Sequence, residues 1–308
     1  MNLLIKNIFL TLSLSFFISG CSGDDSQVYE PLYSDSPLQI KNKIYVFGVH
    51  PLHNPQLLFK IYQPMVDYVN ARIKGSELRL EASRNYAAFD EKLFSGYFDF
   101  SLPNPYQTVM AAKKGYKIFG KMGDDENFRG IILVRKDSGI NKVTDLRGKT
   151  VSYPAPTALA ATMMPQWYML QNGLDVNHDI TNSYVGSQES SIMNVFLGKS
   201  AAASTWPPPW KAFIKERPEV ARQVEIKWQT PPLPNNGLVV RDDVPQALVD
   251  TVSQIIFSMQ NDEEGAKILS AMELSRYEKA NDATYDRVRE FLRNFEAHVR
   301  PIRESKND

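Results

Sequence analysis

The chain has one cysteine, Cys21, among 308 residues. A single thiol near the start cannot build an internal disulfide or a cluster of thiolate metal ligands, so stability must come from packing. Excess charge of one sign is also missing: 35 Lys and Arg stand against 35 Asp and Glu. No global field therefore points to nucleic acid or to an anionic membrane surface. There is no Gly-x-Ser-x-Gly elbow, no phosphate-cradling glycine loop and no dinucleotide fingerprint. Of the four histidines, His50 and His53 share a turn with Asn54, while His178 and His298 stand in segments with no visible convergence, so no metal site is expected. Internal repeats and low-complexity blocks are absent too. These absences leave no enzyme chemistry and no cofactor to assign, and they favour a binding protein.

What is present begins with a leader. Ile8 to Ile18 is an apolar run preceded by Asn2 and Lys6. It is too short to span a bilayer as a mature helix and suits a signal-peptide core. It closes on Ile18-Ser-Gly-Cys21, which resembles a bacterial lipobox, in which Cys21 is lipidated and becomes the mature N-terminus. Residues 1–21 are thus expected to be a lipoprotein signal peptide. Residues 22–40, polar and turn-rich, form a flexible tether. Ser22 is similar to an outer-membrane sorting signal in two-membrane bacteria; the anchor is expected in either the cell membrane or the outer membrane, facing away from the cytoplasm.

From Lys43 the chain alternates strand-like and helix-like segments, which argues for an α/β fold with parallel sheets. Ile44 to Val49 reads as a buried strand. Leu57, Leu58, Ile61, Met65, Tyr68, Val69 and Ile73 recur at helical spacing, with Pro64 expected to kink or restart the helix. Further strands are expected at Leu78–Ala82, Tyr97–Leu102, Gly130–Arg135, Thr150–Tyr153, Ala201–Thr205 and Gly237–Arg241. Helices are expected from Tyr86, after Pro103-Asn-Pro-Tyr106, over Ala158–Asn172 with Gly173 as a left-handed stop, and over Ser190–Leu197. Tyr285, Val288, Phe291, Phe295 and Val299 make a stripe for core packing. Boundaries near 125–129 and 231–236 imply an outer lobe of residues 41–127 and 236–308 with a middle lobe, 128–235, inserted through two crossover strands. A cleft between the lobes could close like a hinge.

The order of segments resembles the solute-binding proteins of phosphate, phosphite and phosphonate ABC transporters, across almost the whole mature chain. Phe47-Gly-Val-His-Pro51 is similar to that family's first strand and ligand-facing turn. Asn85-Tyr86, Leu93-Phe-Ser-Gly96 and Asp99 resemble the helix and strand at the first lobe's rim, and Pro103-Asn-Pro-Tyr106 sits where the family has a cleft-facing Tyr. Val134 to Ser138 and Asp145 to Lys149 resemble the entry into the second lobe. The resemblance implies a type II-like periplasmic binding fold that captures a small molecule, such as phosphonate or phosphate, and delivers it to an ABC permease. It also implies a Ser-Thr-Ser run at a helix start for the oxyanion. In this chain those positions are Ala158, Leu159 and Ala160, with Thr157 alone keeping a hydroxyl; Gln188 stands for the family's His and Ala201 for its Asp.

Candidate ligand-binding residues follow from strand ends, where open α/β sheets take ligands. They are His50, Tyr86, Asn104 and Tyr106 from the outer lobe, with Arg129, Thr157, Ala158, Gln188 and Trp206 from the middle lobe. Trp206, after the small-residue strand Ala201–Thr205 and before three prolines, would give a rigid flat wall. Arg129 would clamp an anion, or lie solvated beside Asp124, Asp125 and Glu126. The expected partners are a small-molecule ligand, a permease and, through the lipid, a membrane; the chain is expected to act as a monomer. The altered ligand shell motivates a second reading, a ligand-sensing subunit that reports to a membrane histidine kinase or cyclic-dinucleotide enzyme.

Overall fold

In the computed structural model, residues 42–302 are described. The leader, Cys21 and the tether lie outside the described residues.

The first lobe opens with β1 (Lys43–Val49), α1 (Pro55–Asn70), β2 (Ser76–Ala82), α2 (Tyr86–Phe94), β3 (Phe100–Leu102), α3 (Pro105–Ala112) and β4 (Tyr116–Met122). The chain then enters the second lobe. It forms β5 (Ile131–Arg135), β6 (Thr150–Tyr153), α4 (Met164–Gln171), β7 (Thr181–Tyr184), α5 (Gln188–Phe196), β8 (Ala202–Thr205), α6 (Pro207–Glu216), α7 (Pro218–Gln223) and β9 (Val224–Gln229). It returns through β10 (Gly237–Arg241), α8 (Gln246–Ser258), α9 (Glu263–Ala271), β11 (Tyr277–Lys279) and α10 (Asp286–His298).

Two sheets result, ordered β11-β4-β10-β3-β1-β2 and β7-β6-β8-β5-β9. The expected parallel order holds within each βα run: β1 is parallel to β2 and β3, and β6 to β7 and β8. Neither sheet is wholly parallel. β10 runs antiparallel between β3 and β4, and β5 antiparallel between β8 and β9. Both are the strands on which the chain arrives from the other sheet, so they enter without a crossover helix to reset their direction.

Burial explains the elements. α1 buries Leu58, Ile61, Tyr62, Met65, Val66, Tyr68 and Val69, one stripe at helical spacing. Pro64 does not restart it; it sits inside the continuous helix on the exposed side, where the carbonyl it leaves unpaired can meet water. Gly173 carries φ +79° just past α4, the left-handed stop expected there. On α10, Val288, Leu292 and Phe295 are buried, with Tyr285 just before it and Val299 after it; Phe291 is only partly so. This helix spans both lobes: it packs on α3, while Trp167 of α4 meets Phe291 and His298 edge-on at 6.4 and 5.8 Å.

The three prolines after Trp206 continue directly into a helix. They are the first turn of α6, where backbone N–H groups have no helical partner and the fixed proline φ is already helical.

Candidate functional site

Three helix starts and two strand ends meet between the lobes. Asn85 caps α2 by accepting from the Ala88 amide at 2.9 Å, which fixes Tyr86 at the first turn. Asn104 and Gln107 form a reciprocal box at the start of α3: Asn104 Oδ1 accepts from the Gln107 amide at 3.1 Å, and Gln107 Oε1 from the Asn104 amide at 2.9 Å. Ser187 caps α5, which places Gln188 at its first position. His50 directly follows β1 and Trp206 directly follows β8.

These residues surround one small cavity. His50, Tyr86 and Asn104 line it from the first lobe; Phe128 stands at the crossover; Ala158, Leu159, Ala160, Ala161, Gln188 and Trp206 line it from the second. Its free volume is ≈ 10 Å³, room for about one water. The lobes meet directly across it. Asn104 Nδ2 donates to the Thr157 carbonyl at 3.1 Å, and Gln188 Nε2 to the Tyr86 hydroxyl at 3.3 Å. Gln188 is held from behind, its Oε1 accepting from Thr205 Oγ1 at 2.7 Å.

A residue that sequence reading missed completes the contact. Asp90, one turn beyond Tyr86 on α2 and 3% exposed, accepts from Gln107 Nε2 at 2.5 Å and from Thr157 Oγ1 at 3.3 Å. The Tyr86–Asp90 spacing of four was the available signal, since it puts both on one helix face. Thr157, the hydroxyl left at the second lobe's rim, therefore engages a carboxyl of the first lobe.

The wall facing Asp90 is poor in side-chain donors. Leu159–Met163 is a π-helical turn that runs into α4. Gly130 makes room for it: a Cβ there would stand 2.5 Å from the Ala160 carbonyl oxygen, inside any tolerable contact. Trp206 is 2% exposed, and its ring lies 5.5 Å from that of Phe128 at 59°.

Electrostatically the cavity lining is neutral. His50 Nδ1 donates to the Leu102 carbonyl at 3.0 Å, which makes Nε2 the acceptor. Burial lowers its pKa to about 4, against the raising effect of that bond, so the ring is uncharged near pH 7. Burial pushes the Tyr86 hydroxyl well above its usual range. No Lys or Arg lines the cavity among the described residues.

Of the other sequence candidates, Tyr106 is 3% exposed and lines a separate groove between α3 and α10 with Val109, Met110 and Leu292. Arg129 does not line the cavity either; its Nε is buried without a hydrogen-bond partner. His53 lies at the outer seam, 3.7 Å from Glu189 of α5, whose Oε1 also accepts from the Asn54 amide at 3.2 Å. Burial raises the Glu189 carboxyl, but His53 and backbone donors outweigh it and hold the group below its ordinary value. On the opposite seam Arg300 donates to Gln166 Oε1 and to the Pro156 carbonyl, each at 2.9 Å. Among the described residues no His, Asp and Glu group is placed to hold a metal ion.

Comparison with known proteins fits this geometry. A structure of PhnD1 from Prochlorococcus marinus in complex with methylphosphonate superposes with a TM-score of 0.76 at 18% identity, over 82% of this chain and 98% of that one. A binding protein component of an ABC phosphonate transporter from Pseudomonas aeruginosa gives 0.74 at 18% identity, over 82% and 86%. The periplasmic aliphatic sulphonate binding protein SsuA from Escherichia coli gives 0.54 at 15% identity, over 87% and 95%. At these identities the superpositions speak for the fold, a two-lobed type II periplasmic binding fold. The family assignment comes from the sequence pattern of residues 47–285. The chain belongs to the family described as ABC transporter, phosphonate, periplasmic substrate-binding protein, whose members capture solutes outside the cytoplasm for delivery to a transporter.

Proposed function

We propose that this chain is a lipid-anchored solute-binding protein that closes its two lobes around a small molecule and presents it to an ABC permease as a monomer. The observation that carries this reading is the convergence of both lobes on one cavity, bridged by Gln188–Tyr86 and Asn104–Thr157 contacts. Such bonds form only when the lobes are together, so a ligand that replaces them couples binding to closure. Cys21 would carry the lipid, and residues 22–40 the tether. Phosphonate is the ligand class that family membership brings; here oxyanion binding would rest on backbone N–H groups at the Leu159–Met163 turn, because the hydroxyl positions are Ala158, Leu159 and Ala160.

The test is a thermal-shift screen of the mature chain, beginning at Cys21, with phosphonates, phosphate, sulfonates, amino acids and nucleosides. A ligand at a hundredfold excess over its Kd raises stability by about 2.7 kcal/mol. A ligand whose shift disappears in Gln188→Leu supports the reading; a screen in which every shift survives that change overturns it. Palmitate labelling that persists in Cys21→Ser would remove the lipid anchor from the proposal. The cross-lobe bonds made by the protein's own groups favour a second reading, a sensing subunit whose closed form is read by a membrane protein; co-purification with a sensor rather than a permease would select it.

A further inference from the structure

We propose that the groove between α3 and α10 is a second binding site, separate from the cleft, for a small monocarboxylate with an extended apolar tail.

The groove encloses ≈ 310 Å³, within the range of small-molecule sites, and shares no lining residue with the cleft cavity. Its floor is apolar. Tyr106, Val109 and Leu292 are 3%, 3% and 8% exposed, and the partly buried Met110 and Ile302 close its sides.

The charges are sorted along it. Arg300, just past α10, donates to the Pro156 carbonyl, while Asn104, at the start of α3, donates to the neighbouring Thr157 carbonyl. Tyr285, ahead of α10, reaches further along α3: its hydroxyl and the Thr108 side chain would both lie within 3.0 Å of a Cβ on Gly237. The two helices therefore run in opposite senses. Lys113, at the end of α3, stands where α10 begins, beside Arg289 and with Arg293 one turn on. Arg289 is already paired with Asp282 and Asp286. Among the described residues, neither the Lys113 ammonium nor the Arg293 guanidinium has a carboxylate partner. A carboxylate placed there meets two cations, one of them a bidentate donor. Glu296 marks the other end, where its Oε1 accepts from the Ile302 amide at 3.4 Å, and it repels an anion from that end. This polarity fixes the orientation, with the head at Lys113 and Arg293 and the tail over Leu292 and Met110 toward Ile302. Arg289 and Glu296 stand seven residues apart on α10, about 10 Å along the axis. A compact ion would leave most of that floor bare, whereas an extended tail covers it and gains its burial.

Octanoate is the probe, and octanamide is its uncharged counterpart of the same length. Titration calorimetry on the mature chain is expected to show octanoate binding at one site, on the order of tenfold more tightly than octanamide. Lys113→Gln combined with Arg293→Gln, two exposed changes that leave the floor intact, should erase that preference, with far-UV circular dichroism as the check on folding. Each single change should remove part of it. Gln188→Leu, in the cleft, should leave octanoate affinity unchanged. Equal binding of the two probes, an octanoate affinity untouched by the double change, or no octanoate binding up to about 1 mM overturns the proposal. So does octanoate binding that is lost in Gln188→Leu and kept in the double variant, because the anion would then sit in the cleft.

Discussion

The two walls of the cleft are built on opposite plans. The first lobe's wall is polar and tied together: Tyr86 and Asp90 stand on α2 and Asn104 and Gln107 at the start of α3, and the bond from Gln107 Nε2 to Asp90 Oδ1 joins the two helices. The second lobe's wall is smooth, made of Ala158 to Ala161, Phe128 and Trp206, with Gln188 as its polar outpost. The contrast teaches that selectivity and shape are divided between lobes. One wall holds preorganised hydrogen-bonding groups and the other a rigid surface against which a ligand, or the first lobe itself, is pressed.

The contrast is most exposed to failure at Trp206. Truncation to alanine removes a nearly fully buried ring packed on Phe128, and is expected to cost about 3–5 kcal/mol in urea denaturation. A cost smaller than that of a single hydroxyl on the facing wall would break the division.

Next comes acid. The His50 pKa is about 4 in the fold against 6.5 unfolded, so between those values the unfolded chain holds the extra proton. Stability should therefore be complete above about pH 6.5 and fall as the pH drops through about 4, losing about 3 kcal/mol. His50→Gln should flatten that limb in denaturation measured across the same range; an unchanged slope would mean that the first wall does not keep the ring neutral.

Tyr86→Phe deletes one hydroxyl and leaves Gln188 Nε2 without its partner across the cleft. The expected loss is about 1–2 kcal/mol, and small-angle scattering should register a larger open fraction. The smallest effect is at the outer seam. Glu189→Gln should cost less than about 1 kcal/mol near neutral pH. Because the folded carboxyl titrates below its ordinary value, that contribution exists above the unfolded pKa and vanishes as the pH falls through the folded one. Wild type and variant should thus converge in acid, and a gap that persists there would assign the seam to packing.

Much of this was legible along the chain. β6 and β10 lie where the apolar runs place them, and the helix after Pro103-Asn-Pro-Tyr106 begins at the capped Asn104, because strand runs and helix caps are local chemistry. β4, β7, β9 and β11 were not read: Thr181–Tyr184 and Val224–Gln229 mix polar and apolar residues at sheet edges, where burial imposes little pattern. Within the site, His50, Tyr86, Asn104, Ala158, Gln188 and Trp206 line the cavity, whereas Tyr106 turns to another groove. Asp90 escaped notice because, beside Glu91, it reads as an ordinary charged helix face; only the fold reveals it as buried.

The sequence by itself determined the βα order, the caps that aim Tyr86, Asn104 and Gln188, and the loss of hydroxyls at 158–160, since each depends on residues a few positions apart. Which groups meet was decided by the tertiary structure. Asp90 and Thr157 are 67 residues apart, and Tyr86 and Gln188 are 102 apart. Their partnership exists only because two crossovers fold one lobe's helix starts against the other's.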